Sequence, residues 1–305
     1  MINKDFNSIL ELLQAFPDEQ SCIIHLEELR WGGSVISPFD ELSKVYKCQG
    51  NKYRCSNTKK YFNVKTHTLF DNTKIPLRKW FVAIWLVTCH KKGVSSIQLA
   101  KDIDVTQKTA WFMLHRIRKC FGVENDNDLD NDVEIDETYV GGKNKNRHRD
   151  KKVKQSQGRS SKDKTPVVGM VERKGKLNAF VVSNVQAPTL TKEILKRVKK
   201  TAHLHTDEWQ GYNIVSSIYE HSIVRHGVGQ YVDGLSYTNT IEGFWGILKR
   251  GIIGIYHYIS PKHLQKYVDE FVFRYNTKRY KESERFNYLL SNTEVRTTYK
   301  ELVYG

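Results

Sequence analysis

Apolar and polar positions change period several times along this chain, and the changes mark its zones. In residues 1–73 the segments Lys44–Cys48 and Lys52–Cys55 alternate, with the turn residues Gln49, Gly50 and Asn51 between them. Alternation of period two beside turn residues predicts the short strands of a small β unit. In residues 74–123 the period becomes helical. Pro76 suits a helix start, and Trp80, Phe81, Ile84, Trp85 and Thr88 follow at helical spacing. Ser95–Ile103, a polar break and Thr106–Ile117 then predict a short helix, a tight turn and a longer helix. A helix-turn-helix has this form and sets its second helix in the major groove, although an αα-hairpin shares the pattern. In the DNA-reading case Gln107, Lys108 and Thr109 open the reading helix, and Arg116 lies further along it.

Residues 124–132 read as an acidic linker. Asp126, Asp128, Asp130 and Glu137 match several positions of a calcium loop, but Asn131 stands where that loop needs glycine, and an alternating strand follows instead of a helix. Residues 133–282 mix both periods. Strands are predicted at 133–140, 166–172, 177–183 and 202–206, and helices at 188–200, 209–218, 239–250 and 261–276. Residues 283–305 read as a tail. This order predicts a mixed α/β layer fold.

Composition narrows the partners. Of 305 residues 39% are apolar, enough for packed cores, while the net charge is +15 and the pI about 9.4. Such a chain seeks a polyanion; nucleic acid is the usual one, with membrane surfaces and acidic proteins as alternatives. The stretch 143–164 holds ten Lys/Arg against Asp150 and Asp163 and has no apolar period. It reads as a basic loop suited to a phosphate backbone, with Lys143 and Lys145 at its start. Five scattered cysteines argue against a disulfide framework and for a reducing cytoplasm. No secretory pattern opens the sequence, and the most apolar run, Trp80–Cys89, is far short of the roughly 20 residues that span a bilayer. No membrane association is expected.

Three carboxylates stand out. Asp136 lies on an alternating strand with Glu134 and Thr138 on its face and Val133, Ile135 and Glu137 on the other. Asp207 ends a strand and equally suits a helix cap. Glu242 lies on a helix with Asn239, Gly246 and Lys249 on one face, while Phe244, Ile247 and Leu248 are expected toward a core. Gly243 and Gly246 weaken this helix and suggest room for a close neighbour such as a nucleic-acid backbone. Acids from two strands and a helix, meeting at one point, can hold the paired hard cations used in phosphodiester cleavage. His203 and His205 read as packed or hydrogen-bonded, and Leu264, Tyr267, Val268, Phe271, Val272 and Tyr275 as a core face. Tyr256, His257 and Tyr258 suit either base stacking or core capping. His226 and Asp233 lie in a glycine-rich loop near enough in sequence to approach the site.

These residues resemble a known family. The stretches VEIDETYVGGK (133–143), HTDEWQGY (205–212), TNTIEGFWGILKRGIIGIYHYISPKHLQKYVDEFVFRYN (238–276) and KIPLRKWFVAIWL with SSIQLAKDIDVTQKTAWFMLHRIR (within 74–118) resemble bacterial insertion-sequence transposases of the DDE class, in the group with an N-terminal zinc ribbon. The resemblance implies a ribonuclease-H-like core with Asp136, Asp207 and Glu242 as its Mg²⁺ or Mn²⁺ triad, holding two ions. It implies DNA contacts from Lys249, with Arg250 and Asn239 beside it. It also implies binding to double-stranded DNA at terminal inverted repeats, cleavage, joining of 3′ ends to target DNA, a homodimer or larger synaptic complex, and a cytoplasmic, nucleoid-associated location. A domesticated DNA-binding protein and a structure-specific nuclease are the alternatives. One departure matters: the ribbon's paired cysteines align with Ser37 and Asp40, and with Cys55 and Thr58. Only Cys55 is retained, so a degenerate ribbon without structural zinc is expected.

Overall fold

The computed structural model describes residues 5–141, 148–152, 164–224 and 237–304. The chain divides into two compact units, Met1–Cys120 with Arg279–Gly305, and Phe121–Lys278.

The first unit opens with two helices that period alone did not reveal. Helix α1 (Ile9–Ala15) starts at Ser8, whose side chain accepts from Glu11 N–H. Helix α2 (Glu19–Trp31) starts in a reciprocal Asp18–Ser21 capping box and stops at Gly32, which takes the left-handed conformation at φ 54°. Strands β1 (Val45–Cys48), β2 (Lys52–Cys55) and β3 (Tyr61–Phe62) form an antiparallel sheet in that order. Its inner side buries Tyr53 and Phe62 against Trp31, with ring centroids 5.3 and 6.2 Å from the indole. Helices α3 (Leu77–Cys89), α4 (Ser96–Asp102) and α5 (Gln107–Cys120) follow. The α4–α5 turn is closed by Asp104 at φ 49°.

The second unit is a five-stranded sheet. Strands β4 (Asp132–Val140), β5 (Thr165–Glu172) and β6 (Leu177–Val181) form an antiparallel meander. After helix α6 (Ala187–Arg197), strand β7 (His203–Asp207) joins β4 in parallel, and β8 (Glu220–Val224) joins β7 in parallel. The order is β6-β5-β4-β7-β8. An antiparallel meander extended by parallel strands beyond its first member is the ribonuclease-H-like arrangement. The 209–218 segment, expected as an α-helix, is instead a 3₁₀ stretch from Gln210 to Ser217. Strand β8 follows it in a segment too polar on its outer positions to be recognised from period.

Helices α7 (Asn239–Gly251) and α8 (Pro261–Asn276) complete this unit. Two cores line the sheet. One gathers Val133, Ile135, Val168 and Met170 with Leu190, Ile194 and Tyr212. The other gathers Val167, Val171 and Ala179 with Ile241, Trp245, Leu248, Val268 and Phe271. Strand β4 is therefore covered on both faces, which explains why its alternation is imperfect.

The chain then returns to the first unit. Residues 283–305, expected as a tail, supply helices α9 (Glu282–Ser291) and α10 (Tyr299–Tyr304). Phe286 of α9 is fully buried, with ring contacts to Phe6, Phe16, Phe81 and Trp85. The second unit thus ends at Lys278, because the next segment's apolar face is used in the other core.

The corner where the resemblance implies zinc is built from hydrogen bonds. Ser37 and Asp40 form an isolated antiparallel bridge. Asn57 donates to Asp40 at 2.7 Å, and its backbone N–H to Ser43 Oγ at 3.0 Å. The buried Cys55 Sγ is hydrogen-bonded to Ser43 Oγ at 3.2 Å. Burial opposes ionisation of Cys55, but hydrogen bonds with Ser37, Ser43 and Thr58 bring the thiol down to about 6. Hydroxyls thus satisfy the one sulfur, and the set does not fit a structural zinc. Melting of the full chain should therefore be unchanged by a strong zinc chelator. Replacing Ser43 with alanine should lower stability by roughly 1–3 kcal/mol, because the Asn57 N–H and the Cys55 thiol lose their shared partner. Thermal denaturation with and without chelator checks both.

Candidate active site

Parallel pairing sets the first two carboxylates side by side. Strands β4 and β7 pair Asp132 with His203 and Glu134 with His205. Two positions further along the same register stand Asp136 and Asp207. Asp207 ends its strand, and its Oδ1 accepts the backbone N–H of Trp209 at 3.0 Å, so it is also the turn cap that its sequence position suggested. Glu242 comes from the first turns of α7, where Thr238 Oγ1 donates to its Oε1 at 3.3 Å. Asp136, Asp207, Glu242 and Lys249 line one cavity of about 350 Å³ with Glu137, Thr138, Thr238, Trp245 and Gly246.

A buried carboxylate fixes the helix to the strand. Glu134, 0% exposed, accepts the backbone N–H groups of Thr240 and Ile241 at 2.9 and 3.1 Å, and the Thr240 hydroxyl at 2.9 Å. These are the unpaired donors of the α7 N-terminus, where the helix dipole favours a negative charge. Arg173 balances that charge, donating from Nε to Glu134 Oε1 at 3.1 Å, and from Nη2 to Tyr237 O at 2.7 Å. A second contact sets the spacing one step along. Trp245 Nε1 donates to Asp136 Oδ2 at 3.0 Å. The indole reaches it across Gly169, which pairs with Asp136 on β5. A Cβ at Gly169 would lie 2.6 Å from the indole and 2.7 Å from Ile241. Glu134 and Gly169 shape this cavity, and sequence reasoning missed both. The only sequence signal was an acid at an alternate position from Asp136 on a strand buried on both faces.

Crowding of acids shapes the electrostatics. Burial, then the charges of Glu137, Asp207 and Glu242, push Asp136 up to about 7. Glu137 accepts a hydrogen bond from the Tyr212 hydroxyl at 2.9 Å on the other side of the strand. Burial, then the charges of Glu137, Asp136 and Asp207, raise the Tyr212 phenol well above its ordinary value. Uncompensated negative charge on hard oxygen donors is what a divalent cation relieves.

The other sequence-predicted residues separate clearly. Asn239, Glu242, Lys249 and Arg250 are exposed on α7, while Phe244 and Leu248 are buried. Ile247, expected in the core, is 42% exposed, and Trp245 occupies the place foreseen for it. No atom lies within 4 Å of a Cβ built at Gly243, and at Gly246 only the Arg250 guanidinium does, so this face of α7 is open. In the first unit Gln107 and Lys108 are exposed at the start of α5. Gln107 donates to Ser96 Oγ at 2.8 Å, and Thr109 N–H to Thr106 Oγ1 at 3.2 Å, so Thr109 serves the turn. Arg116 does not face solvent as a DNA ligand would. It is 4% exposed, its Nη2 donates to Asp71 O at 2.8 Å, and its guanidinium lies near the Trp80 and Phe112 rings, because the apolar side of α5 includes its position. Lys143, Lys145, His226 and Asp233 lie outside the described residues. Tyr256 donates to Glu270 at 2.7 Å, whereas Tyr258 is exposed.

A second polar group lies at the opposite end of β4 and β7. Ligand atoms of Asp132, His203 and His205 fall within 4.8 Å of one another, a span that a metal ion bridges. His205 Nε2 is 2.7 Å from Asp132 Oδ1, and His203 Nε2 is 2.7 Å from Ser222 Oγ. Arg173 Nη1 stands 3.8 Å from the same Asp132 oxygen. The Arg173 charge is thus shared between Glu134 and Asp132, and both histidines are engaged in hydrogen bonds.

Comparison with known proteins bears on this geometry. Residues 128–276 match the ISXO2-like transposase domain family. A protein in transposable element ISH50 of Halobacterium salinarum is 25% identical over 275 residues, covering 86% of this chain and 92% of that protein. A transposase-like protein of Haemophilus influenzae is 29% identical over 109 residues, 35% of this chain and 87% of that one. The crystal structure of the Mos1 strand transfer complex matches with a TM-score of 0.26 at 11% identity, over 72% of this chain and 79% of that chain.

Removing the Glu134 carboxylate by alanine substitution should cost roughly 3–5 kcal/mol, since Arg173 and two helix N–H groups are left buried without it. Denaturant unfolding checks this, and a loss under about 1 kcal/mol would refute the strand–helix clamp. The pH response follows from Asp136. Its folded carboxyl keeps a proton that the unfolded chain releases, so its contribution to metal-free stability is fully present below the ordinary carboxylate range and is lost as pH rises through about 7. Asp136→Asn should flatten that fall in thermal melts taken across pH.

Proposed function

Because this chain belongs to the insertion-sequence transposases of the DDE class, we propose that it binds the ends of its element, cleaves DNA phosphodiesters there and joins the freed 3′ ends to target DNA. The observation that carries this reading is the convergence of Asp136, Asp207 and Glu242 from two strands and a helix on one cavity, with Lys249 at its edge.

The three carboxylates are the residues that would hold two divalent ions, Mg²⁺ or Mn²⁺. Acceptor-only oxygens crowded until one of them keeps its proton fit such cations and not a softer metal. Ions held there would supply Lewis acidity for activating the attacking water or 3′-hydroxyl and for offsetting charge on the leaving oxygen. The protein's own part is placement. Asp136 must release its proton to become a ligand. Glu134 and Trp245 hold Glu242 and Asp136 at a fixed separation. Lys249, about two turns beyond Glu242 on the same face, presents its ammonium to the phosphate next to the cut. The open side of α7 at Gly243 and Gly246 leaves a path for a DNA strand. Gln107 and Lys108 at the start of α5 are the base-edge contacts of the helix-turn-helix. Two ends processed together call for at least two copies of the chain.

Asp136→Asn and Glu242→Gln should each reduce Mg²⁺-dependent cleavage and strand transfer by on the order of 10²–10³-fold or more, the equivalent of several kcal/mol of charge stabilisation. Binding to duplex ends should persist. Gel-based strand-transfer assays beside binding assays read the two separately, and undiminished strand transfer in either variant would falsify the assignment.

A further inference from the structure

We propose that the outer face of the β1–β2–β3 sheet is a docking surface for duplex DNA, centred on a row of Tyr46, Arg54 and Tyr61. This rests on reading the chain as a DNA-processing enzyme, and it names a contact surface separate from both the cavity and α5.

Strand register builds the row. Tyr46 pairs with Arg54, and Arg54 with Tyr61, so the three side chains stand abreast across the sheet. Alternation sends Tyr53, Cys55 and Phe62 to the inner side, where they are 5%, 0% and 3% exposed. The outer side keeps Tyr46 and Tyr61 at 48% and 61% exposure. Arg54 is exposed with them, as are Lys44 and Lys52, two positions from Tyr46 and Arg54 on the same face. Lys44 Nζ lies 5.4 Å from the Tyr46 ring and the Arg54 guanidinium 5.9 Å from the Tyr61 ring.

Charge identifies the occupant. From Leu42 to Phe70 the chain carries seven Lys/Arg and no Asp or Glu. Of the two acids just before the sheet, Asp40 is engaged by Asn57 and by the N–H of Leu42. A face with cations interleaved between phenols, and no acid among its strands, repels basic partners and offers little apolar area to a protein or lipid surface. Phosphate oxygens match it. The guanidinium fork binds them in pairs, the ammoniums displace counterions, and tyrosine hydroxyls donate to phosphate from the flank. The hydrogen-bonded corner of Ser37, Ser43, Cys55 and Asn57 keeps the sheet in register, so the surface does not depend on a metal.

The test uses the full chain, a short duplex and no catalytic metal, so that binding is read without cleavage. Fluorescence anisotropy across a salt series gives the slope of log Kd against log salt. Lys44→Ala, Lys52→Ala and Arg54→Ala combined should lower that slope by about three, one per cation removed. Tyr46→Phe with Tyr61→Phe should weaken binding while leaving the slope unchanged. Arg54→Lys should keep the slope and recover only part of the affinity, which general misfolding would not produce. All these side chains are exposed, and circular dichroism with melting checks the fold. Wild-type affinity and slope in the triple variant would overturn the proposal, as would an effect confined to single-stranded DNA. Either result leaves the transposase reading standing. That reading fails separately if wild-type chain and duplex do not associate at all.

Discussion

Much of the second unit depends on one buried carboxylate meeting one helix end. Glu134 takes the first N–H groups of α7 and is neutralised by Arg173. The desolvation of that charge is offset by four donors with no better partner, so the strand and helix are held at the separation those bonds allow. Two residues along the same strand, Asp136 inherits this geometry. Glu242, two to three residues into the capped helix, inherits it from the other side. A buried carboxylate thus fixes the places of the two proposed as metal ligands.

Against this rigid clamp stands an electrostatic tension. Asp136 is surrounded by acids that raise its affinity for a proton, while Trp245 lends its carboxylate a single neutral donor. The indole reaches that carboxylate because Gly169 has no side chain to stand in its way. Close packing here favours the acids' convergence, and their mutual repulsion opposes it. A folded site of this kind carries an electrostatic strain that a bound divalent cation would relieve, while its backbone stays fixed by bonds made elsewhere.

Much of this was legible in the amino-acid order. The strands of the larger sheet through β7, the helices α6 to α8, and the shared face of Glu242 and Lys249 follow from period alone. The buried pair of helices at the start was not, because caps at Ser8 and Asp18, more than apolar period, define them. Strand β8 is short and polar on its outer positions, and the segment before it tightens into 3₁₀ turns. Arg116 and Ile247 show a different limit. Both lie on amphipathic helices, and which margin of an apolar stripe is covered depends on neighbours that no local window contains. Glu134 was visible only as an acid two positions before Asp136 on the same strand; its partners Thr240 and Ile241 lie more than a hundred residues away.

The order of the two units along the chain has a consequence for synthesis. The first unit's aromatic cluster, with Phe6, Phe16, Phe81 and Trp85, is completed by Phe286, which comes after the whole second unit. On the ribosome the sheet with its acids has all its strands and helices before the first unit's core can close. The part that holds the exposed basic faces is therefore the last to mature, and a messenger truncated near its end would yield a chain whose earliest residues lack the ring they pack around.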